Sequence, residues 1–489
     1  MDQKVVSKGH GFATYPAVKL KGYRKNSKGK VVFGFLKELL FGDYIRLLLD
    51  ENGDPVIEKR GSTSYVKVRA RRCNGYIKID EIQANRTLEV NFVDVAQGDG
   101  CHIVTPEDKH FVIDAGQGDN MYRFLAWRFN LRRSKSSPPE FTAIISHSDK
   151  DHYGGFGKLF TKQRGNKNQF KFNAIYHNGL VEESGRNVDT LGLIKTHQGS
   201  DYITGLARTN ADFKQRVTQV AKKGNYIRLL EKTESPKKSL QFGDEPIYDT
   251  DGLKISVLGP VVKTIDNKMS LPVLDNDKGK TKNGHSIILK LTIGKLRMLL
   301  GGDLNSAAEH YLFSCFTNKD MDKLKDIINS ENSTKTEVRK ARKEVEEAIS
   351  GLRKHFQVDI AKSCHHGSAD FTHEFFEALN PVATVISSGD QESHSHPRPD
   401  TLGAIGKTSR GNRPLIFSTE LARSGKEFVR TVNARDKTRT VTVYGMINVR
   451  TDGEKVIIAQ KLEKPGSSKN WDIYKLVWND ELSELEYVK

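Results

Sequence analysis

From about residue 88 the chain repeats one pattern: a short, mostly apolar run followed by a loop of Asp, His and Gly. It is visible in "LEVNFVDVAQGDG", "KHFVIDAG", "FTAIISHSDKDHYGG", "LRMLLGGDL", "VDIAKSCHHGS" and "PVATVISSGDQESHSHP". Runs of four to eight apolar residues without alternation predict strands covered on both faces, as in an α/β protein. If the polar loops all follow the carboxyl ends of such strands, one sheet edge collects their side chains. Two stretches interrupt the pattern. Residues 160–245 are mixed and basic. Residues 304–356 alternate in charge at helical spacing and predict a helical hairpin.

The flanking regions follow a different period. Residues 1–21 are polar and basic, predicting a poorly ordered lead-in. Residues 22–87 carry short β-rich runs, with "ENGD" as a turn and "SYVKVRARRCNGYIKIDEI" alternating like a half-buried strand pair. This region resembles the bacterial SH3-like small barrel, with Gly75-Tyr76-Ile77 as the matching tripeptide, and the resemblance implies a docking role. Residues 425–489 return to strands around a "TDG" turn and are expected to pack as a hairpin extension on the central domain, residues 88–424.

Composition narrows the setting. A chain of 489 residues predicts two or three units. No apolar run is long enough to span a bilayer, and the first residues lack the apolar core of a secretory signal, so a cytoplasmic protein without a membrane partner is expected. The four cysteines, Cys73, Cys101, Cys315 and Cys364, are widely spaced, which argues against a disulfide framework or a cysteine zinc knuckle. The formal charge of +17 favours a polyanionic partner such as nucleic acid, the plain alternative being a basic, solvated surface.

The densest chemistry lies in "SHSDKDHYGG", Ser146 to Gly155. Four candidate metal ligands, His147, Asp149, Asp151 and His152, fall within six residues after an apolar run. Imidazole nitrogen and carboxylate oxygen suit zinc and manganese, and adjacent ligands can divide between two ions about 3.5–4 Å apart. The alternative is an ordinary polar loop, against which the crowding after "TAII" weighs.

The loop and its flanks resemble the metallo-β-lactamase superfamily, and within it the hydrolase domain of the competence protein ComEC. The matching elements are "DVAQGDG" (Asp94–Gly100), "VIDAG" with Asp114, the H-x-D-x-D-H-x-G-G loop itself, "LLGGD" with Asp303, His365-His366-Gly367-Ser368, and His396-Pro397, in that order over about 330 residues. The resemblance implies a four-layer αβ/βα sandwich, joined to the small all-β N-terminal domain. It implies two divalent cations, zinc or manganese with magnesium possible. His147 and Asp149 would hold the first, and Asp151, His152 and His366 the second. Asp303 would bridge them, and a hydroxide between them would be the nucleophile. Asp151, His365 and His396 would serve catalysis, the last two at the leaving oxygen or the phosphate. Asp114 would orient the histidine loop.

Some positions depart from the pattern. The usual third histidine of the first site is missing from "KTKNGHSIILKL", leaving His285 or an empty position. Ala96 stands where the branch has Gly, and Cys364 where it often has Pro. Asp99 is open between shaping the entry loop and assisting the site. His177 reads as a loop histidine without special role, and His394 as a weaker candidate than His396. Lys158, Lys162, Arg164, Lys167 and Lys171 either track a phosphate backbone or form a solvated face. Three functions therefore stand: a nuclease acting on DNA, a hydrolase of a small phosphodiester or ester, or a docking protein recruiting a partner through the SH3-like domain or the helical insertion.

Overall fold

The computed structural model describes all residues except 26–27, 132–136, 162–169, 390–393, 412, 422–424, 432–436, 444, 463–465, 467 and 489. The candidate cations Lys162, Arg164 and Lys167 thus lie outside the described residues. The chain forms two compact units: residues 1–91 with 103–109 and 422–489, and residues 92–102 with 110–421.

The second unit holds the repeating strands. Glu140–Ile144 runs parallel to His110–Ala115 on one side and to Lys171–His177 on the other, and Lys237–Ser239 continues the parallel order. In the other sheet Leu296–Leu300, Ile360–Lys362, Ala383–Ile386 and Leu415–Ser418 run parallel, extended antiparallel by Ile288–Ile293, Leu253–Gly259 and Tyr248–Thr250. The sequence dictates both sheets: His110–Ala115 in the first and Ile360–Lys362 and Ala383–Ile386 in the second are buried at every position, as strands covered on two faces must be. Ile113 and Ile144 from one sheet line a common internal gap with Leu289 and Leu300 from the other, so these side chains form the inner layer.

Opposite side chains meet helices. Phe156 and Phe160 pack on Phe172, with ring centroids 6.2 and 5.1 Å apart. Leu299 and Ala361 lie in a core with Leu312, Phe313, Leu352 and Phe356. The latter come from helices Ser306–Thr317 and Lys335–Phe356. The stretch expected as a hairpin is three helices, Met321–Asn329 being the additional one. The expected insertion at 160–245 begins and ends inside the sheet, because Lys171–His177 and Lys237–Ser239 are its last two strands on that side.

The first unit is sheet-rich. Its N-terminal strands follow the order Val31–Leu40, Ala17–Lys25, Cys73–Lys78, Thr63–Ala70, Tyr44–Leu47, His10–Ala13, Ile82–Gln83. The lead-in expected over residues 1–21 is ordered: Val5, Ala13, Val18 and Leu20 are buried in the core of this sheet. Its polar look came from Lys19 and Lys21, which alternate with Val18 and Leu20 along one strand. The "TDG" turn joins Met446–Thr451 to Val456–Lys461. The C-terminal strands belong to this first unit, where the Glu38 carboxylate accepts from the Asn470 and Trp471 amides at 2.6 and 3.0 Å. Among the described residues no helix is long and apolar enough to cross a membrane.

Candidate metal centre

The loops that leave the strand ends of both sheets converge. Strand His110–Ala115 ends in Asp114, whose carboxylate accepts from the Ser146 amide (2.8 Å) and hydroxyl (2.7 Å) and so fixes the start of the histidine loop. The loop then makes one short helical turn, Lys150–Tyr153, that swings His152 back over the strand ends. Two close approaches hold the turn in place. Gly155 N donates to Gly116 O at 2.8 Å, and a Cβ at Gly155 would sit 2.1 Å from the Ala115 carbonyl oxygen. Gly98, at φ +100°, leaves no room for a side chain beside the Asp151 carbonyl.

Three donor atoms meet at the centre. His152 Nε2 lies 3.1 Å from Asp303 Oδ2, His366 Nε2 lies 3.2 Å from the same oxygen, and the two nitrogens are 3.3 Å apart. Asp151 Oδ2 is 3.5 Å from His366 Nε2. These separations match the edge of a tetrahedron of donors about 2 Å from a common centre, the arrangement four-coordinate zinc adopts. The far nitrogens are tied back. His152 Nδ1 donates to Asp114 at 2.8 Å, and His366 Nδ1 to the Ser387 carbonyl at 3.0 Å, with Asp99 Oδ1 at 3.2 Å. That fixes both rings with Nε2 aimed inward, as metal-binding histidines require. Asp303 Oδ1 is buried without a hydrogen-bond partner. Among the described residues Asp99, His152, Asp303 and His366 form one buried group able to hold an ion. The residues fit a divalent cation.

The electrostatics agree. Burial works against charge on every member. Even so, Lys362 and His366 hold Asp99 below the usual carboxylate range, and His152 and His366 do the same for Asp303. Burial would also lower the two histidines, but Asp303, with Asp114 beside His152 and Asp99 beside His366, raises both well above the ordinary imidazole value. The pocket therefore holds positive charge strongly at its centre.

The other candidates divide. His147 and Asp149 sit beside this group but turn to each other, with Nε2 to Oδ2 at 3.5 Å. His365 and His396 flank it, ring centroids 5.8 Å apart, and His396 is 6.3 Å from the His366 ring; both are partly exposed. His394 is exposed. His285 is buried and its Nε2 donates to the Pro272 carbonyl at 2.7 Å. His177 is buried with Nδ1 accepting from Gly179 N, and burial lowers its pKa to about 4, so its place is structural. The Cys364 thiol is pushed up to about 12 by burial.

Two lysines escaped the sequence reading. Lys362 is buried, ion-paired with Asp99, 3.7 Å from Asp303 and donating to Gly302 O at 2.7 Å. Lys282 is ion-paired with Asp149. A charged residue closing the apolar run "VDIAK" was a usable signal for the first, whereas nothing in "KTKNG" marks the second.

No family model matches this chain, and no curated protein matches it. A solved structure described as a metal-dependent hydrolase of the beta-lactamase superfamily aligns with 68% of this chain and 95% of its own, at 11% identity and a TM-score of 0.27.

Proposed function

We propose that this protein is a metal-dependent phosphodiesterase of the metallo-β-lactamase type, with DNA as its substrate. The observation that carries the reading is the convergence of His152 Nε2, His366 Nε2 and Asp303 Oδ2 within 3.3 Å of one another, each ring tied back through Nδ1. A divalent cation held there supplies Lewis acidity and makes water a usable nucleophile near neutral pH.

The chain's own groups perform the remaining tasks. Asp114, Asp99 and the Ser387 carbonyl keep the two imidazoles in one tautomer and orientation. Asp151, at the more open side, is placed to accept a proton from attacking water. Burial keeps His365 below its ordinary pKa, so near pH 7 it is neutral. A neutral His365 can donate a hydrogen bond to a phosphate oxygen through its one ring N–H, and the neighbouring His396, when protonated, can pass a proton to the departing alkoxide. The Lys+Arg excess of 78 over 61 acidic residues favours a polyanion over a small neutral ester. The N-terminal sheet, read as the SH3-like module, is assigned to docking a protein partner.

The test is cleavage of linear and circular duplex DNA, single-stranded DNA and RNA with added Mn²⁺, Zn²⁺ or Mg²⁺. Wild type is compared with Asp151→Ala/His152→Ala. Metal-dependent cutting of DNA by the wild type alone supports the proposal. Hydrolysis confined to small diesters, or persisting in the double variant, overturns it.

A further inference from the structure

Resting on the metal reading above, we propose that the centre is mononuclear: the ammonium of Lys282 occupies the position in which a second cation would be bound by His147 and Asp149. The donor atoms of that position are already engaged. Asp149 Oδ1 is ion-paired with Lys282, whose side chain is 13% exposed. Asp149 Oδ2 faces His147 Nε2 at 3.5 Å. The Asn283 side chain, with its amide nitrogen turned toward its acceptors, donates to the same oxygen at 2.7 Å. His147 Nδ1 lies between the Ser146 and Ser286 hydroxyls, at 3.1 and 3.2 Å. Both carboxylate oxygens of Asp149 are therefore engaged by protein groups, and it is the Lys282 ammonium, rather than the setting of His147, that fills the place of a second ion.

The arrangement is built rather than incidental. Lys282 lies on helix Lys278–Gly284, whose N-cap Asp277 accepts from Lys280 N. Glu182 Oε1 stands 3.8 Å from Lys282 Nζ and 2.8 Å from Lys278 Nζ. Glu182 also accepts from the Ser148 hydroxyl at 2.7 Å, which ties the histidine loop to the helix. The extra imidazole this position would need is not supplied, since His285 spends its Nε2 on the Pro272 carbonyl. An ammonium brings one unit of charge to Asp149 with three N–H donors, so it neutralises the carboxylate without any metal ligand being required. Asp149 and His147 then serve as positioning residues that brace Asp151 and His152 in the next turn.

The experiment is metal stoichiometry, read by elemental analysis after dialysis and by calorimetric titration with Mn²⁺ and Zn²⁺, with the spin-resonance spectrum of the Mn²⁺ form as a second readout. Wild type is expected to hold one equivalent and to give the spectrum of an isolated ion. Asp149→Asn is expected to keep that equivalent, and Asp151→Ala/His152→Ala to lose it. Lys282→His, which removes the ammonium and adds an imidazole, is expected to rise to two, and Lys282→Arg to stay at one. Two equivalents in the wild type, or an exchange-coupled spectrum, would overturn this proposal while leaving the metal reading intact. No ion at all would overturn both. If Lys282→His folds and still takes one ion, Lys282 is not what excludes the second, and the proposal fails. If it does not fold, the wild-type count and Asp149→Asn decide.

Discussion

At the scale of single residues, the centre depends on groups that never touch its middle. Asp114 is buried and accepts from Ser146 N, Ser146 Oγ and His152 Nδ1. Changing it to Asn replaces a two-oxygen acceptor by an amide with a single oxygen that cannot satisfy all three donors, and it frees His152 to turn. Asp114→Asn is expected to weaken metal binding by roughly 10–100-fold, as such outer partners commonly do, measured by competition with a chromogenic chelator. Some of this was legible beforehand. His152, Asp303 and His366, which meet in the buried group, were legible because ligand-type residues followed apolar strands. Asp99, left open by the sequence, proves to hold His366 Nδ1 and pair with Lys362. Ala96, where the resembled pattern has Gly, adopts φ 64°, so the left-handed bend of that loop survives the substitution. What stayed hidden were the two lysines, because a cation's meaning depends on which carboxylate it meets, and pairing across 263 or 133 positions leaves no local trace.

At the scale of elements, burial patterns carried the reading. Continuous apolar runs marked the parallel strands, whereas Lys171–His177 and Lys237–Ser239 were lost among charges because alternate positions along each are exposed or only half-buried. The helix Ser306–Thr317 raises a separate point. Its Glu309 is buried, and its Oε2 accepts from Thr372 N, the N-cap of helix His373–Leu379. Burial raises its pKa from the ordinary glutamate range to about 8. The folded state therefore holds a proton that the unfolded chain releases. This stability contribution is complete below the unfolded value and is lost as pH rises through about 8. Thermal melts between pH 5 and 8 are expected to show wild type losing stability as pH rises, with Glu309→Gln distinctly flatter over that window. Identical slopes would show that Glu309 titrates normally in the folded state.

At the scale of the whole molecule, the sequence order predicted one ligand-rich edge but not how the chain closes on itself. The strands of residues 446–488 fall in the same compact unit as residues 1–91, where the Glu38 carboxylate accepts from the Asn470 amide, a contact at a separation of over 400 residues that no local pattern encodes. The site, by contrast, is contained in residues 92–102 and 110–421. Metal binding should therefore stabilise that unit selectively. At a free cation concentration 100 times the dissociation constant, the gain is about 2.7 kcal/mol. Calorimetry is expected to show one transition moving up by a few degrees on adding Mn²⁺ or Zn²⁺, and returning with chelator. A transition indifferent to both cations would remove the basis for the metal reading.

His152 comes from one sheet, while Asp303 and His366 come from the other. An ion at their meeting point is thus a rivet through two plates as well as a reagent. Losing it would do more than stop turnover: it would leave the two sheets joined at that point by the weaker ion pair of His152 with Asp303. Scarcity of the metal would then silence the protein and shorten its lifetime by the same event, so that its abundance in a cell would follow the supply of the ion.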